Sequence, residues 1–242
     1  MTLAIVDGDP FLYAASWNID NLDDAKEKLD FIFDEALQTV FAKDYVVAIG
    51  GPNNFRDKLY PLYKKSVTRA KSRSSKPEWF YDLKEYLSKK DSAVVTDGFE
   101  ADDQVRIWSV EMAKFEKPFI VISIDKDLDC IPGRHFNPKK NTVYSVNEEE
   151  ANRLYWTQMI VGDQIDNIPG VRGYGPVKAK NLFDSVTDPD VIKQIVCKAY
   201  DSVYGDEGYS NLLVNGRLLH IWRYYNDHFK MSKEFYNAAI NE

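Results

Sequence analysis

Hydrophobic residues along this chain fall first into short unbroken runs and later into helical stripes. LAIV (3–6) opens almost at the N-terminus and reads as a strand that ends in a turn at Asp7-Gly8. Residues 23–42 place Leu29, Ile32, Phe33, Ala36, Leu37, Val40 and Phe41 at helical spacing, which predicts an amphipathic helix with a core-facing stripe. YVVAI (45–49), closed by Gly50-Gly51-Pro52, SAVVT (92–96) and PFIVISID (118–125) predict three more strands. Helical patterns fill 77–90 and the stretch from DGFEADD to about Phe115. Apolar strands alternating with helices indicate a mostly parallel sheet covered on both faces. VYSV (143–146) adds an edge strand, and from Glu148 onward the pattern is helical with Gly-rich turns. The expected organisation is an α/β domain over 1–147 and a helical region over 148–242.

Composition narrows the chemistry. The 242 residues are 44% hydrophobic, enough for one large domain or a domain with a small appendage. No apolar run approaches the roughly 18 residues of a membrane span. The N-terminus lacks the basic-then-apolar layout of a signal peptide, so a cytoplasmic location is expected. Cys130 and Cys197 lie far apart, and His135, His220 and His228 form no ligand pattern, which argues against zinc. The net charge of −7 argues against nucleic acid as a partner. Its distribution argues the other way: residues 56–76 hold eight basic residues and one acid, Asp57. An acidic centre with a separate basic strip suggests metal ions at one place and phosphates at another.

Three groups of acids follow three different predicted strands. Asp7 ends the first, Glu100, Asp102 and Asp103 follow the third, and Asp125 and Asp127 end the fourth. Open α/β sheets bind ligands beyond the carboxyl ends of their strands. Asp125 and Asp127 share a face if the strand continues through them. Glu100 and Asp103 share a helix face; Asp102 joins them if the site straddles the loop and the first helical turn. Each group alone has a plain reading as a turn, a helix start or a solvated loop; their coincidence beyond separate strands favours function. Asp9 and Asp129 read as turn or surface residues. Six clustered carboxylates repel one another, and a hard divalent cation, magnesium or manganese, relieves that repulsion.

A second signal is GDQIDNIPGVRGYGPVKAKNLF (162–183). Asp163 and Asp166 are spaced so that one helical turn aims both the same way. Pro169-Gly170 breaks the helix, and Gly173-x-Gly175 forms a tight loop before a helix that begins near Pro176. This is a helix–hairpin–helix pattern over about 160–183. Its glycines admit a phosphate close to the backbone, and Lys178 and Lys180 add charge. The last sixty residues carry no assignable motif.

VDGD, EADD, DKDLD and GDQIDNIPGVRGYG occur here in the order seen in 5′-nucleases, and the chain resembles that superfamily of flap endonucleases and 5′–3′ exonucleases from Asp7 to about Phe183. The resemblance implies a PIN-like α/β domain followed by a helix-3-turn-helix region, with a basic helical arch at about 56–90. It implies two magnesium ions, with manganese as a substitute, held by Asp7, Glu100, Asp102, Asp103, Asp125 and Asp127, with Asp163 and Asp166 completing the second site. It gives Arg56 and Lys64 the scissile phosphate, Tyr63 a terminal base to stack on, and Lys65 and Arg69 further DNA contacts. The hairpin, including Gly173 and Gly175, would bind duplex backbone, with a potassium ion as a further ligand. The implied substrate is DNA with 5′ ends, flaps or nicks, cut by a monomer in a bacterial or phage-infected cell. RNA–DNA hybrids, and junction binding without cleavage, are the alternatives. The chain departs from the family at two points. Gly50-Gly51 stands where many members carry an aspartate. Val67 occupies the family's arginine position, and Arg69 is the nearest arginine.

Overall fold

The structure is a computed structural model that describes residues 2–66 and 76–241. These form two compact units: residues 2–55, 76–147 and 221–226, and residues 56–66, 148–220 and 227–241.

The first unit is built on a six-stranded sheet of β1 (Leu3–Asp7), β2 (Asp44–Ile49), β3 (Ala93–Val95), β4 (Phe119–Ile122), β5 (Gly133–Asn137) and β6 (Thr142–Val146). The order is β3-β2-β1-β4-β5-β6, parallel throughout except for β6, which runs antiparallel to β5. In chain order its helices are α1 (Asp9–Ser16), α2 (Leu22–Thr39), α4 (Phe80–Ser88) and α5 (Ala101–Lys114); the short α3 (Phe55–Leu59) belongs to the second unit from Arg56 onward. Ala4, Val6, Val47, Ile49, Ile120 and Ile122 share one core with residues of α1, α2 and α4. The alternate residues Ile5, Ala48 and Val121 are also fully buried. Strand alternation turns them to the opposite face, where α5 packs on β1, β2 and β4. Burial on both faces is why these strands read as unbroken apolar runs. By the same alternation Asp7 shares the face of Ile5, the side covered by α5.

Two elements go beyond the sequence reading. The short α1 begins one residue after the expected turn, with proline in its first turn. Strand β5 has the polar sequence GRHFN, yet His135 and Asn137 are buried. The fourth strand is shorter than expected. It stops at Ile122, and Asp125 caps a 3₁₀ turn over Lys126–Cys130 by accepting from the Asp127 amide.

The second unit is helical: α6 (Glu148–Val161), α7 (Pro176–Leu182), α8 (Pro189–Tyr204), α9 (Gly208–Leu219) and α10 (Lys233–Asn241). Trp156, Met159, Phe183, Val196, Tyr200 and Leu212 lie in its core. Among the described residues no helix is long and apolar enough to cross a membrane. The expected boundary at 148 coincides with the start of α6, but two segments cross it. Residues 56–66 pack in the second unit, because Tyr63 is buried with Ile168 and Leu218. Residues 221–226 pack in the first, because the Trp222 ring stacks on Phe55 and Phe99.

Candidate active site

Asp7 is almost fully buried at the end of β1. Strand β1 lies between β2, where Asp7 pairs with Ala48, and β4, and the strand order reverses between β1 and β4, where open sheets leave a crevice. Ser123, just past β4, donates its hydroxyl to Asp7 Oδ2 at 2.8 Å and accepts from the Asp125 amide at 2.9 Å. Asp125 Oδ1 in turn accepts from the Asp127 amide at 2.9 Å. One chain of hydrogen bonds thus links three of the sequence-selected acids through a serine that sequence reasoning had not singled out. Burial pushes the Asp7 carboxyl up to about 7; the Ser123 hydroxyl opposes the shift, and the charges of Asp9 and Asp125 add to it.

The third strand's acids sit at the start of α5. Glu100 and Asp103 form a capping box, each side chain accepting from the other's backbone N–H. Asp103 is fully buried, with Oδ2 on the Glu100 amide and Oδ1 on the Trp222 amide, both at 2.9 Å. Both of its oxygens are therefore engaged by backbone donors, and its visible work is to clamp a loop to a helix end. Asp102 and Asp127 lie near Cys130. Burial pushes that thiol up to about 11; Arg106 opposes this, and the charges of Asp102, Asp127 and Asp103 add to it. Asp127 thus belongs both to the hydrogen-bond chain of Asp7 and to the charges near Cys130. Among the described residues no three acidic, histidine or cysteine groups close around a common ion. The donor chemistry nevertheless fits a hard divalent cation. It is all oxygen, and its central carboxyl is held back from ionising by burial and by neighbouring negative charge.

Asp9, read from sequence as a turn residue, is one of the charges that Asp7 senses. Its carboxylate also accepts from the Gly50 amide at 3.4 Å. This explains the departure at Gly50-Gly51. A Cβ on Gly50 would stand 2.7 Å from Asp9 Oδ2, and one on Gly51 would stand 1.5 Å from the carbonyl oxygen of Thr96. The backbone past β2 runs too close to the end of β3 for a side chain at 51, and the space beyond 50 is taken by Asp9. Lys84 also binds this bend, donating to the Gly50 carbonyl.

In the second unit, Arg56 differs from its expected role. It is 1% exposed and donates to the carbonyls of Leu218 and His220 at 2.9 and 2.8 Å. Those carbonyls end α9, where a buried cation satisfies groups that the helix leaves without partners. Tyr63 differs likewise: its ring is 3% exposed, and its hydroxyl lies 3.5 Å from Asp166 Oδ2, so no face is offered to a base. Lys64 remains partly exposed, with Nζ 3.7 Å from Asp166 Oδ2, and its backbone takes a left-handed φ of 55°. Its amide donates to the Asp166 carbonyl, Ser66 donates to the Ile165 carbonyl, and Asn167 donates to the Leu62 carbonyl. The basic segment is therefore tied to the loop of the paired aspartates. Lys65 is exposed. Arg69 and Val67 lie outside the described residues.

Asp163 and Asp166 stand in a tight turn rather than a helical one. Backbone hydrogen bonds between Asp163 and Ile168 close it, and Asp163 Oδ1 accepts from the amides of Ile165 and Asp166. The hairpin itself forms between α6 and α7. Gly173 has φ +82°, which suits glycine, and a Cβ there or at Gly175 would meet nothing within 4 Å. Lys178 and Lys180 are exposed, and Lys178 Nζ lies 3.4 Å from the centre of the Tyr174 ring. The last sixty residues hold this loop in place. Tyr204 donates to the Gly170 carbonyl and accepts from the Arg172 amide, while Asn215 donates to the same carbonyl and to the Tyr200 hydroxyl.

No protein-family model matches the chain. Flap endonuclease Xni of Shewanella sp. strain W3-18-1 is 24% identical to it over 182 residues, 71% of this chain and 69% of that protein. The 5′-3′ exonuclease of Buchnera aphidicola subsp. Acyrthosiphon pisum is 29% identical over 209 residues, 76% of this chain and 70% of that one. Among solved structures, the flap endonuclease of bacteriophage T5, crystallised with DNA and metal ions, aligns with a TM-score of 0.63 at 17% identity over 100% of this chain and 98% of that one. The fold is that of the T5 flap endonuclease, and in sequence the chain is similar to flap endonucleases and 5′-3′ exonucleases.

Proposed function

We propose that this chain is a structure-specific 5′-nuclease that hydrolyses DNA phosphodiesters at 5′ ends, flaps or nicks, with magnesium ions, in the replication or repair of a bacterial or phage-infected cell. The observation that carries the reading is the buried Asp7. It sits where the strand order reverses, is linked through Ser123 to Asp125, and is held back from ionising first by burial and then by the charges around it. A divalent pair, when bound, would supply an activated water and charge neutralisation at the leaving oxygen. Asp7, Asp9, Asp125, Asp127, Asp102 and Glu100 are the residues of the first unit proposed to hold metal; within the second unit Asp163 and Asp166 are the acids proposed as ligands. Ser123 holds the Asp7 carboxylate and the Asp125 backbone amide, and Asp103 and Trp222 fix the start of α5. Lys64 is the cation proposed to meet the scissile phosphate. Its present ion pair with Asp166 keeps it beside one of the proposed ligands. The exposed hairpin, with its open glycines, backbone amides, Lys178 and Lys180, is proposed to grip duplex backbone without reading sequence.

The test is cleavage of a 3′-labelled 5′-flap duplex in magnesium and in EDTA, beside the Asp125→Asn/Asp127→Asn variant. Magnesium-dependent cutting near the junction, lost in the variant while DNA binding survives, supports the reading. A parallel RNA–DNA hybrid separates a nuclease that prefers RNA. One observation favours a second reading, junction binding without cleavage: Glu100 and Asp103 are engaged with one another's backbone. Binding with no cutting in magnesium or manganese would establish that reading instead.

A further inference from the structure

The segment Ile221–Asn226, IWRYYN, packs in the first unit although its chain neighbours on both sides belong to the second. Its first two residues are anchors. The Trp222 amide donates to Asp103 at 2.9 Å, and Arg106 donates to the Ile221 carbonyl at 3.2 Å. The Trp222 ring stacks on Phe55 at 4.8 Å and on Phe99 at 5.5 Å. Phe99 immediately precedes Glu100, and Asp103 caps the same helix, so the loop is fixed to the backbone that carries the α5 acids. Beyond these anchors the character reverses. Arg223 is exposed, and Tyr224 and Tyr225 are 59% and 65% exposed. Tyr225 is held edge-on by Phe99 and Trp222, at 5.8 Å from each.

A folding account needs only Ile221 and Trp222. Two adjacent exposed tyrosines after an arginine, on a loop clamped by three aromatic rings and two hydrogen bonds, are not explained by the core. Exposed aromatic rings next to a cation are the surface that unpaired nucleic acid uses: bases stack on the rings, and the guanidinium meets the phosphate. Duplex DNA offers no free base faces. A positive side chain here also supplies what the surrounding carboxylates lack for drawing in a polyanion.

We propose that Arg223, Tyr224 and Tyr225 form a stacking platform for the unpaired 5′ strand of the substrate, positioned by the Asp103–Trp222 clamp beside the proposed metal carboxylates. This rests on the nuclease reading for its choice of substrate. The test measures binding by the full chain in EDTA, by fluorescence anisotropy, to a duplex with a single-stranded 5′ flap and to the same nicked duplex without one. Tyr224→Ala/Tyr225→Ala is expected to weaken flap binding roughly ten- to hundredfold, and flap-free binding far less. Tyr224→Phe/Tyr225→Phe keeps the rings and is expected to keep flap affinity, which separates stacking from damage to the fold. A 2-aminopurine in the flap is expected to be quenched by the native protein and not by the alanine pair. Equal losses on both substrates, or no loss on either, would overturn the proposal. A chain that shows the flap-selective loss but never cuts overturns the nuclease reading alone.

Discussion

At the scale of single residues, burial decides what a charged side chain does. Asp7 is an acid whose folded-state pKa stands above its unfolded value, 3.8 raised to about 7. The folded protein therefore binds that proton more tightly than the unfolded chain. Its contribution to stability is full below about pH 4 and is lost as pH rises to about 7. In EDTA, Asp7→Asn should recover up to about 4 kcal/mol at pH 8 and flatten this part of the pH profile while abolishing cleavage. Urea unfolding at pH 5 and pH 8 checks it, and parallel pH slopes for the two proteins would count against the assignment. Arg56 and Lys64 make the complementary pair. Removing Arg56 leaves two carbonyls at the end of α9 without their donor, so Arg56→Ala should cost on the order of 3 kcal/mol. Lys64→Ala should leave the melting temperature nearly unchanged and cut the rate. If Arg56→Ala instead melts like the native protein and loses only turnover, the phosphate role that the resemblance gives Arg56 is the better one. The glycine pair past β2 divides in the same way. Gly51→Ala meets the Thr96 carbonyl and should destabilise by on the order of 3 kcal/mol. Gly50→Ala meets only the tip of Asp9, so it should fold and report, through weaker manganese binding, whether Asp9 is a ligand.

At the scale of elements, legibility followed two-sided burial. Strands β1, β2 and β4 are buried on both faces, so their sequences are nearly pure apolar runs and could be read directly. Strand β5 could not, because its buried His135 and Asn137 carry polar labels, and α1 could not, because eight residues hold too little periodicity. The acids were legible as strand-end residues, but not their division of labour. Nothing in EADD says that Glu100 and Asp103 will cap each other, and the partner of Asp103, Trp222, lies 119 residues away. A local reading of Asp9 sees a turn and not the space left open by Gly50. The hairpin was legible from its glycines and lysines, while its support was not. Tyr204 and Asn215 reach it from α8 and α9 through hydrogen bonds that leave no local pattern. That support is testable. Tyr204→Phe removes the hydroxyl from the Gly170 carbonyl, which keeps Asn215, and from the solvent-accessible Arg172 amide, a loss of about 1 kcal/mol. The expected outcome is weaker duplex binding by a residue that does not touch DNA, seen as an anisotropy shift that Lys178 and Lys180, still present, cannot restore.

At the scale of the whole molecule, the question is how a chain of net charge −7 holds a polyanion. Net charge governs the far field, which salt screens within about 10 Å at 0.1 M. Binding is decided closer in, where cations are sorted from anions. The exposed hairpin presents Gly173, Gly175, Lys178 and Lys180, while the acids flanking Asp7 and Cys130 are the proposed seats of divalent cations. If this sorting is the mechanism, duplex affinity should fall steeply with salt despite the negative total. Each phosphate contact contributes about 0.9 to the slope of log affinity against log salt. Lys178→Ala/Lys180→Ala should therefore lower that slope by up to about 2 and weaken all duplex sequences alike. Magnesium should strengthen binding to the native protein and lose that effect in Asp125→Asn/Asp127→Asn, because only the former has a full set of carboxylates to neutralise. A lysine variant with an unchanged slope would move the phosphate contacts off the hairpin and onto the basic segment that begins at Arg56, where Lys64 and Lys65 are the next residues to remove.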